Sequence, residues 1–274
     1  MAETNDSIIA AKELLTKRLE LQISENAKIK RKILAAFSKI AELGYATQID
    51  AKVFKLDRIN DTAELKKILE TLRLWLFMEM THATGASAAL VEDEYGPIGF
   101  QASDYISEAQ NGLTAKQRIR KYTDRLKYEI EGWIAAGLLL GIGKDKLQSL
   151  FSQYAAEPYT NPAFIAAQNY RSDAVRLRNG GAHFGKGQTT ALKSVERLSG
   201  WLIADSYRKA QADAWGNGGV SGFIVGRGSS YPCETCDSMA GFHSLAVDLP
   251  PYHANCCCWA APVGGVLQGR SSGL

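Results

Sequence analysis

Cys233, Cys236, His253, Cys256 and Cys258 are the residues of this 274-residue chain whose types and spacing could do chemistry. Cys233-Glu-Thr-Cys236 sets two thiolates on one turn. After sixteen intervening residues, His253-Ala-Asn-Cys256 repeats that spacing with an imidazole and a thiolate. Zinc takes four nitrogen or sulfur ligands in a tetrahedron, and structural sites usually present them as two short-spaced pairs that the fold brings together. The spacing therefore predicts a structural zinc site of the Cys3His kind. Cys258 is a fifth candidate, able to replace Cys256 or His253, so the fourth ligand stays open on this reading. Cys257 should point away, because neighbouring residues of an extended segment face opposite sides. Pro250-Pro251, just ahead of His253, stiffens the second arm and lowers the entropy lost when the site forms.

Other chemistries fit these residues less well. All five cysteines fall between positions 233 and 258, an odd number in one short stretch, which suits a metal site better than a disulfide framework. A redox Cys-x-x-Cys would sit in a βαβ context, and none surrounds this pair. Pro232-Cys-Glu-Thr-Cys236 matches half of the zinc-deaminase signature, but the His-x-Glu half is missing after His82, His183, His243 and His253. There is no His-Glu-x-x-His. Gly180-Gly-Ala-His-Phe-Gly185-Lys186-Gly187 imitates a phosphate-binding loop, yet Gly187 stands where a magnesium-ligating Ser or Thr belongs and no strand precedes it. It reads as a loop, with His183 an exposed polar residue. His82 and His243 lack a partner acid or nucleophile, and His243 is only a remote alternative ligand. No catalytic residue is expected.

The elements that must position the donors are mostly helical. Ile8, Leu15, Leu19, Ile29, Ile33, Phe37 and Ile40 recur at helical spacing between about Ser7 and Leu43, which predicts one long or two shorter amphipathic helices. They either pack on their own domain or form an arm for a partner helix. After an irregular stretch from Gln48 to Asn60, Asp61-Thr-Ala-Glu64 has the form of a capping box for a helix ending before Gly85. Residues 91–112 read as a connection with at most one short helix. Thr114-Ala-Lys-Gln117 is a second capping box, and its helix runs through Ile119, Tyr122, Leu126, Ile130 and Trp133 until Gly141 and Gly143 stop it. Further helices are expected over Lys144 to Tyr154, around Pro162 to Leu177, and over Thr189 to Trp215. Gly222-Phe-Ile-Val-Gly226 then reads as a strand, and Gly264 to Leu274 as a loose tail.

The expected fold class is mainly α: a helical N-terminal region followed by a small zinc-stapled α+β C-terminal module. The expected segments are 1–112, 113–188, 189–263 and the tail 264–274. Apolar residues at 46% and charged residues at 22% are ordinary for a globular protein. A formal charge of +3 and a pI near 8.5 permit contact with nucleic acid but fall well short of a strongly basic surface. Ile134-Ala-Ala-Gly-Leu-Leu-Leu-Gly-Ile142 is about half of the roughly 20 apolar residues a bilayer span needs, so no membrane association is expected. The acidic N-terminus has no secretory signal, which points to a cytoplasm and reduced thiols.

With the cysteine pattern in hand, the segment from about Trp201 to Pro262 resembles the C-terminal domain of the phage Mu F-like head morphogenesis proteins, also called minor head or minor capsid proteins. The resemblance rests on an ordered series: Ile203-Ala-Asp-Ser-Tyr-Arg-Lys-Ala-Gln-Ala, Gly222-Phe-Ile-Val-Gly, Cys233-x-x-Cys236 with Gly241 after it, Pro251-Tyr-His253-Ala-Asn-Cys256-x-Cys258, and Pro262. The family pattern has Cys-x-x-Cys followed by Pro-x-His-Pro-x-Cys-Arg-Cys. Here Ala254 replaces the second proline and Cys257 the arginine, which removes a basic contact and leaves the ligand skeleton intact. The helical stretch from Ile134 to Leu150 is similar to the part preceding this domain, and residues 1–110 carry none of the resemblance. It implies a non-enzymatic capsid-assembly component, partnered with the phage portal protein or major capsid protein and in some cases with packaged DNA. Its implied location is the virion, at the portal vertex or capsid interior, with the host cytoplasm as the place of assembly. Some relatives carry a fused toxin, but sixteen residues after Cys258 are too few for an effector domain. The competing readings are a nucleic-acid-binding zinc module and, third, a toxin or deaminase-like enzyme.

Overall fold

A computed structural model describes residues 2–46, 62–155, 160, 190–253 and 256–264. Among them lie seven helices and three strands. The helices are α1 (Ala2–Ala46), α2 (Thr62–Tyr95), α3 (Ala102–Ser107), α4 (Ala115–Leu139), α5 (Lys144–Tyr154), α6 (Ala191–Asn217) and α7 (Glu234–Ser238). The strands β1 (Gly222–Gly226), β2 (Gly241–Ser244) and β3 (Trp259–Val263) form one antiparallel sheet in the order β2-β1-β3. The chain is thus mainly helical, with a small sheet confined to its C-terminal region. The helix expected over 162–177, the loop at 180–187 with His183, Asp61 of the first capping box and the tail beyond Gly264 lie outside the described residues.

α1 is a single helix. No Gly or Pro interrupts the chain before Gly44, so nothing breaks the hydrogen-bond ladder. It is not a free arm, because Leu14, Leu15, Ile29, Ile33, Phe37 and Ile40 are all buried. In its first half the inward face differs from the one expected. Ile8 and Leu19 are only half-buried, while Ala10, Ala11, Leu14 and Leu15 are buried together with Arg18.

α2 also departs from expectation, running through Gly85 to Tyr95. A helical glycine costs about 1 kcal/mol relative to alanine. Here good helix formers (Ala86, Ala88, Ala89, Leu90) follow it, and the buried Ser87 hydroxyl donates to the Ile203 carbonyl at 2.7 Å. A Cβ on Gly85 would come 3.5 Å from that of Ala102, so α3 packs closely here. The helix ends instead at Gly96, whose φ of 92° lets its N–H bond back to the Glu92 carbonyl at 2.8 Å.

The expected capping box of α4 is present. The Thr114 hydroxyl accepts the Gln117 N–H at 3.2 Å, and the Gln117 side chain accepts the Thr114 N–H at 2.8 Å. At the other end Gly141 takes a left-handed φ of 64°, with Ile142 N–H bonded to Gly137 O at 2.8 Å and Gly141 N–H to Leu138 O at 3.3 Å. That paired arrangement closes a helix against further growth and lets α5 start at Lys144.

The chain divides into two compact units that are not contiguous in sequence. The first comprises Met1–Asn26, Glu79–Ala109 and Arg197–Leu274, the second Ala27–Met78 and Gln110–Glu196. Residues 1–112 contribute to both units, because α1 and α2, like α6, each supply residues to both. The second unit is built on large apolar side chains. Phe37 stacks on Phe151 with centroids 3.8 Å apart, and Trp133 meets Phe151 edge-on at 5.4 Å. The apolar run that begins at Ile134 belongs to this core, with Ile134, Ala135 and Ala136 all buried. Among the described residues no helix is long and apolar enough to cross a membrane.

Candidate metal centre

The first unit contains the sheet, and the sheet brings the donors together. Phe223 and Val225 of β1 turn inward, Phe223 lying 6.0 Å from the Trp215 ring of α6. Tyr95 packs on the same indole edge-to-face at 6.0 Å. This anchored strand pairs with β3 in the register Val225↔Ala260 and Gly226↔Trp259. The segment leaving β1 toward Cys233 therefore runs beside the segment that enters β3 from Cys258. Two glycines permit the approach. A Cβ on Gly226 would lie 2.0 Å from the Trp259 ring, and one on Gly228 would lie 2.0 Å from the Cys257 carbonyl oxygen, so only a bare backbone fits at either place.

The first arm ends in α7, with Cys233 as its N-cap residue and the Asp237 N–H bonded to the Cys233 carbonyl at 2.8 Å. Arg227 secures the preceding loop by donating to the Asp237 carboxylate and the Tyr231 carbonyl. The second arm passes a cis Pro250-Pro251 bond, and its Cys256 N–H bonds to the His253 carbonyl at 3.1 Å. Two donor triads result, Cys233/Cys236/His253 and Cys236/Cys256/Cys258, each with donor atoms within 4.8 Å of one another. All five residues singled out by spacing are thus gathered, with Cys236 common to both sets. Cys257 belongs to neither and is half-buried, whereas Cys256 and Cys258 are buried, the alternation an extended segment imposes. His243 is also outside both: its Nε2–H donates to the Met239 carbonyl at 2.9 Å, and its ring lies 5.6 Å from Phe223.

Three of the donor separations lie near the edges of a tetrahedral site. With metal–sulfur bonds near 2.3 Å and metal–nitrogen bonds near 2.0 Å, a tetrahedron has S···S edges of about 3.8 Å and S···N edges of about 3.5 Å. Cys236 Sγ and Cys256 Sγ are 3.8 Å apart. His253 Nε2 lies 3.2 Å from Cys233 Sγ and 3.0 Å from Cys236 Sγ, so the imidazole need retreat by only a few tenths of an ångström. The cluster could bind a metal ion through either triad, the two meeting at Cys236.

The electrostatics favour thiolate on the leading sulfur of each arm. The Cys236 amide bonded to the Cys233 sulfur is the chief influence lowering Cys233 below the ordinary thiol range. Cys256 is lowered chiefly by the Cys258 thiol bonded to it, and further by the amides of Cys258 and Tyr252. Cys258 is driven up as the partner that keeps the proton, and burial pushes Cys236 up to about 12. Closely gathered thiols of this kind share protons in pairs, and a bound dication would replace those protons.

The remaining charged group was not anticipated from spacing. Arg18, only 2% exposed, donates from Nη2 to the Cys256 carbonyl at 3.0 Å, and its guanidinium lies 5.6 Å from the Tyr207 ring. Burial lowers its pKa, while Tyr207 and the three thiols from Cys256 to Cys258 act to raise it. A signal did exist: Arg18 falls three and four residues after Leu15 and Leu14, on the stripe that the helical period reserves for apolar residues. No family model, no curated protein and no solved structure matches this chain.

Proposed function

We propose that this chain is a phage head morphogenesis protein, a minor capsid component of the Mu F-like kind, whose C-terminal cluster holds one structural zinc ion. The observation that carries the metal reading is the gathering of Cys233, Cys236, His253, Cys256 and Cys258 into two donor triads that share Cys236, on two arms that a three-stranded sheet aligns. The donor set of thiolates with one imidazole is the kind zinc prefers, and sulfur-rich sets are typical of structural rather than catalytic ions. The ion would cross-link the two arms of a module whose sheet is too small to be stable by itself.

The assembly reading is supported by the order of the motifs: the helix at 203–212, the strand at 222–226, Cys-x-x-Cys, then Pro-x-His-x-x-Cys-x-Cys. The partners in this reading are the portal protein or the major capsid protein, with packaged DNA as a secondary contact, and the site of action is the portal vertex or capsid interior.

Quantitative mass spectrometry of purified particles tests it. Presence of the chain at a few to a few dozen copies, in a reproducible ratio to portal protein, is the expected result. Absence from mature and immature particles alike would overturn it. A free-standing protein that instead binds DNA with a steep salt dependence would identify a nucleic-acid-binding zinc module.

A further inference from the structure

Lys12, Leu15 and Arg18, successive every third residue along one face of α1, all reach the metal-binding segment. Lys12 Nζ lies 5.5 Å from the Trp259 ring, a Leu15 methyl would be 2.7 Å from a Cβ on Gly228, and Arg18 holds the Cys256 carbonyl. Residues separated by more than two hundred positions are thus packed in one layer, which makes the ligand loop dependent on the N-terminal helix.

Arg18 is the informative member. Taking a guanidinium out of water costs several kcal/mol unless negative charge is supplied to it. A backbone carbonyl and the Tyr207 ring supply only partial compensation. Its Nε has no hydrogen-bond partner, and among the described residues no carboxylate pairs with it. The remaining source of negative charge beside it is the Cys256-Cys257-Cys258 run. A dication held by three thiolates and a neutral imidazole carries a net charge of −1, and one held by four thiolates −2. Either is the anion that a buried guanidinium lacks, whereas neutral thiols are not.

We infer that Arg18 is a positioning residue and counter-ion for the metal centre, so that metal binding and the seating of the first turns of α1 on the ligand loop stabilise one another. The inference rests on the metal reading above and is independent of any role in capsid assembly. Outer-sphere groups that orient a ligand commonly alter metal affinity by about 10- to 100-fold, which sets the expected effect.

The test uses the full chain in three forms: wild type, Arg18→Met, which keeps the packing volume, and Arg18→Lys, which keeps the charge. Zinc affinity is read by competition with a chromophoric chelator. Cobalt(II) loading reports the ligand set through its d–d bands and the local field through its thiolate-to-metal charge transfer. Hydrogen exchange of residues 8–22 is followed with and without zinc.

Arg18→Met should bind zinc about 10- to 100-fold more weakly. Its charge-transfer band should move to lower energy with unchanged d–d bands, because the thiolates have lost a neighbouring cation, and Arg18→Lys should recover most of both effects. In the wild type, zinc should protect residues 8–22 from exchange. Equal zinc affinity and an unmoved charge-transfer band in Arg18→Met would overturn the inference while leaving the metal site intact. Failure of the wild type to bind zinc or cobalt would overturn the metal reading itself. Should Arg18→Met not fold, Arg18→Lys and the zinc dependence of wild-type exchange decide alone: zinc that leaves residues 8–22 of the wild type unprotected would refute the coupling, and a charge-transfer band in Arg18→Lys far from that of the wild type would refute the counter-ion role.

Discussion

In the proposed reading the two compact units differ in what holds them: apolar burial alone in one, apolar burial and a bound ion in the other. In the second unit, Phe37, Trp133 and Phe151 fill a core of large rings, an arrangement whose free energy scales with apolar area and needs no ligand. In the C-terminal part of the first, the core includes Cys236, Cys256, Cys258 and Ala260 beside Trp215 and Phe223. Rings and thiols share one core there, and in the proposed reading a bound ion would add bonds through the donor cluster to that apolar burial. A core of rings weakens by degrees when a side chain is trimmed. A donor cluster fails when one shared donor is lost.

The largest effect is therefore expected from Cys236→Ser, since Cys236 belongs to both triads. Metal content should fall from about one ion per chain to near zero, and the sheet should lose its cooperative melting, at a cost of several kcal/mol or more. Treating the wild type with a strong chelator should reproduce this. Elemental analysis and hydrogen exchange of residues 222–226 and 259–263 provide the readouts, with residues 29–40 as the internal reference. Wild-type metal content in the variant would show that the ion does not depend on the shared sulfur.

Phe151→Ala attacks the other kind of cohesion. Removing a buried phenyl that stacks on Phe37 and meets Trp133 should cost about 3–5 kcal/mol, measured by denaturant unfolding. Metal content should stay at about one per chain in the folded variant. Loss of metal at denaturant concentrations where the second unit is still folded would mean that the two kinds of cohesion are not separable as described.

Much of this architecture is local chemistry and so can be read along the chain. The helix at Lys144–Tyr154 and the strand at Gly222–Gly226 follow from flanking glycines and residue type, and Thr114 with Gln117 marks a helix start by side-chain reach alone. The five donors were legible because ligand chemistry demands short spacings. What escaped depends on distant partners. Gly85 looked like a terminator, and only its packing beside Ala102 explains why the helix passes through it. The partner of Arg18, the Cys256 carbonyl, lies more than two hundred residues along the chain, so no local pattern could name it. Units assembled from discontinuous pieces leave no composition shift at their boundaries, since a single helix feeds two cores.

Acidity offers a sharper separation, because it should move the two regions in opposite directions. Glu129 of α4 is 3% exposed, and burial raises its pKa from 4.5 to about 7 despite its bond from the Ala191 N–H at 2.9 Å and the Arg125 guanidinium 3.2 Å away. The folded unit therefore holds a proton between about 4.5 and 7 that the unfolded chain has lost. This contribution to stability is complete below the unfolded value and disappears as pH rises through the folded one. Glu129→Gln keeps an acceptor for the Ala191 amide and removes the charge. It should flatten that slope and stabilise the second unit at pH 8 by up to about 3 kcal/mol, an upper bound because the variant leaves the partly buried Arg125 without its carboxylate. In the first unit a bound metal would give acid the reverse effect, since protons would compete with it for thiolates. Unfolding curves at pH 5.5 and 8, with metal content measured at each, check both directions.

The smallest effect tests whether the ring-based unit also relies on specific polar contacts. The Thr114 hydroxyl and the Gln117 side chain satisfy each other's backbone amides at the start of α4, on the exposed surface. Water can replace the lost oxygen there, so Thr114→Ala should cost only about 1 kcal/mol, and Thr114→Ser should cost little because serine caps as well. Exchange of the first-turn amides at Lys116 and Gln117 should rise in the alanine variant, while the amides near Trp133 stay protected. A cost above about 3 kcal/mol would mean that the cap sets the path of the chain into the core as well as closing a helix end, and the second unit would then share with the metal centre a dependence on single polar contacts.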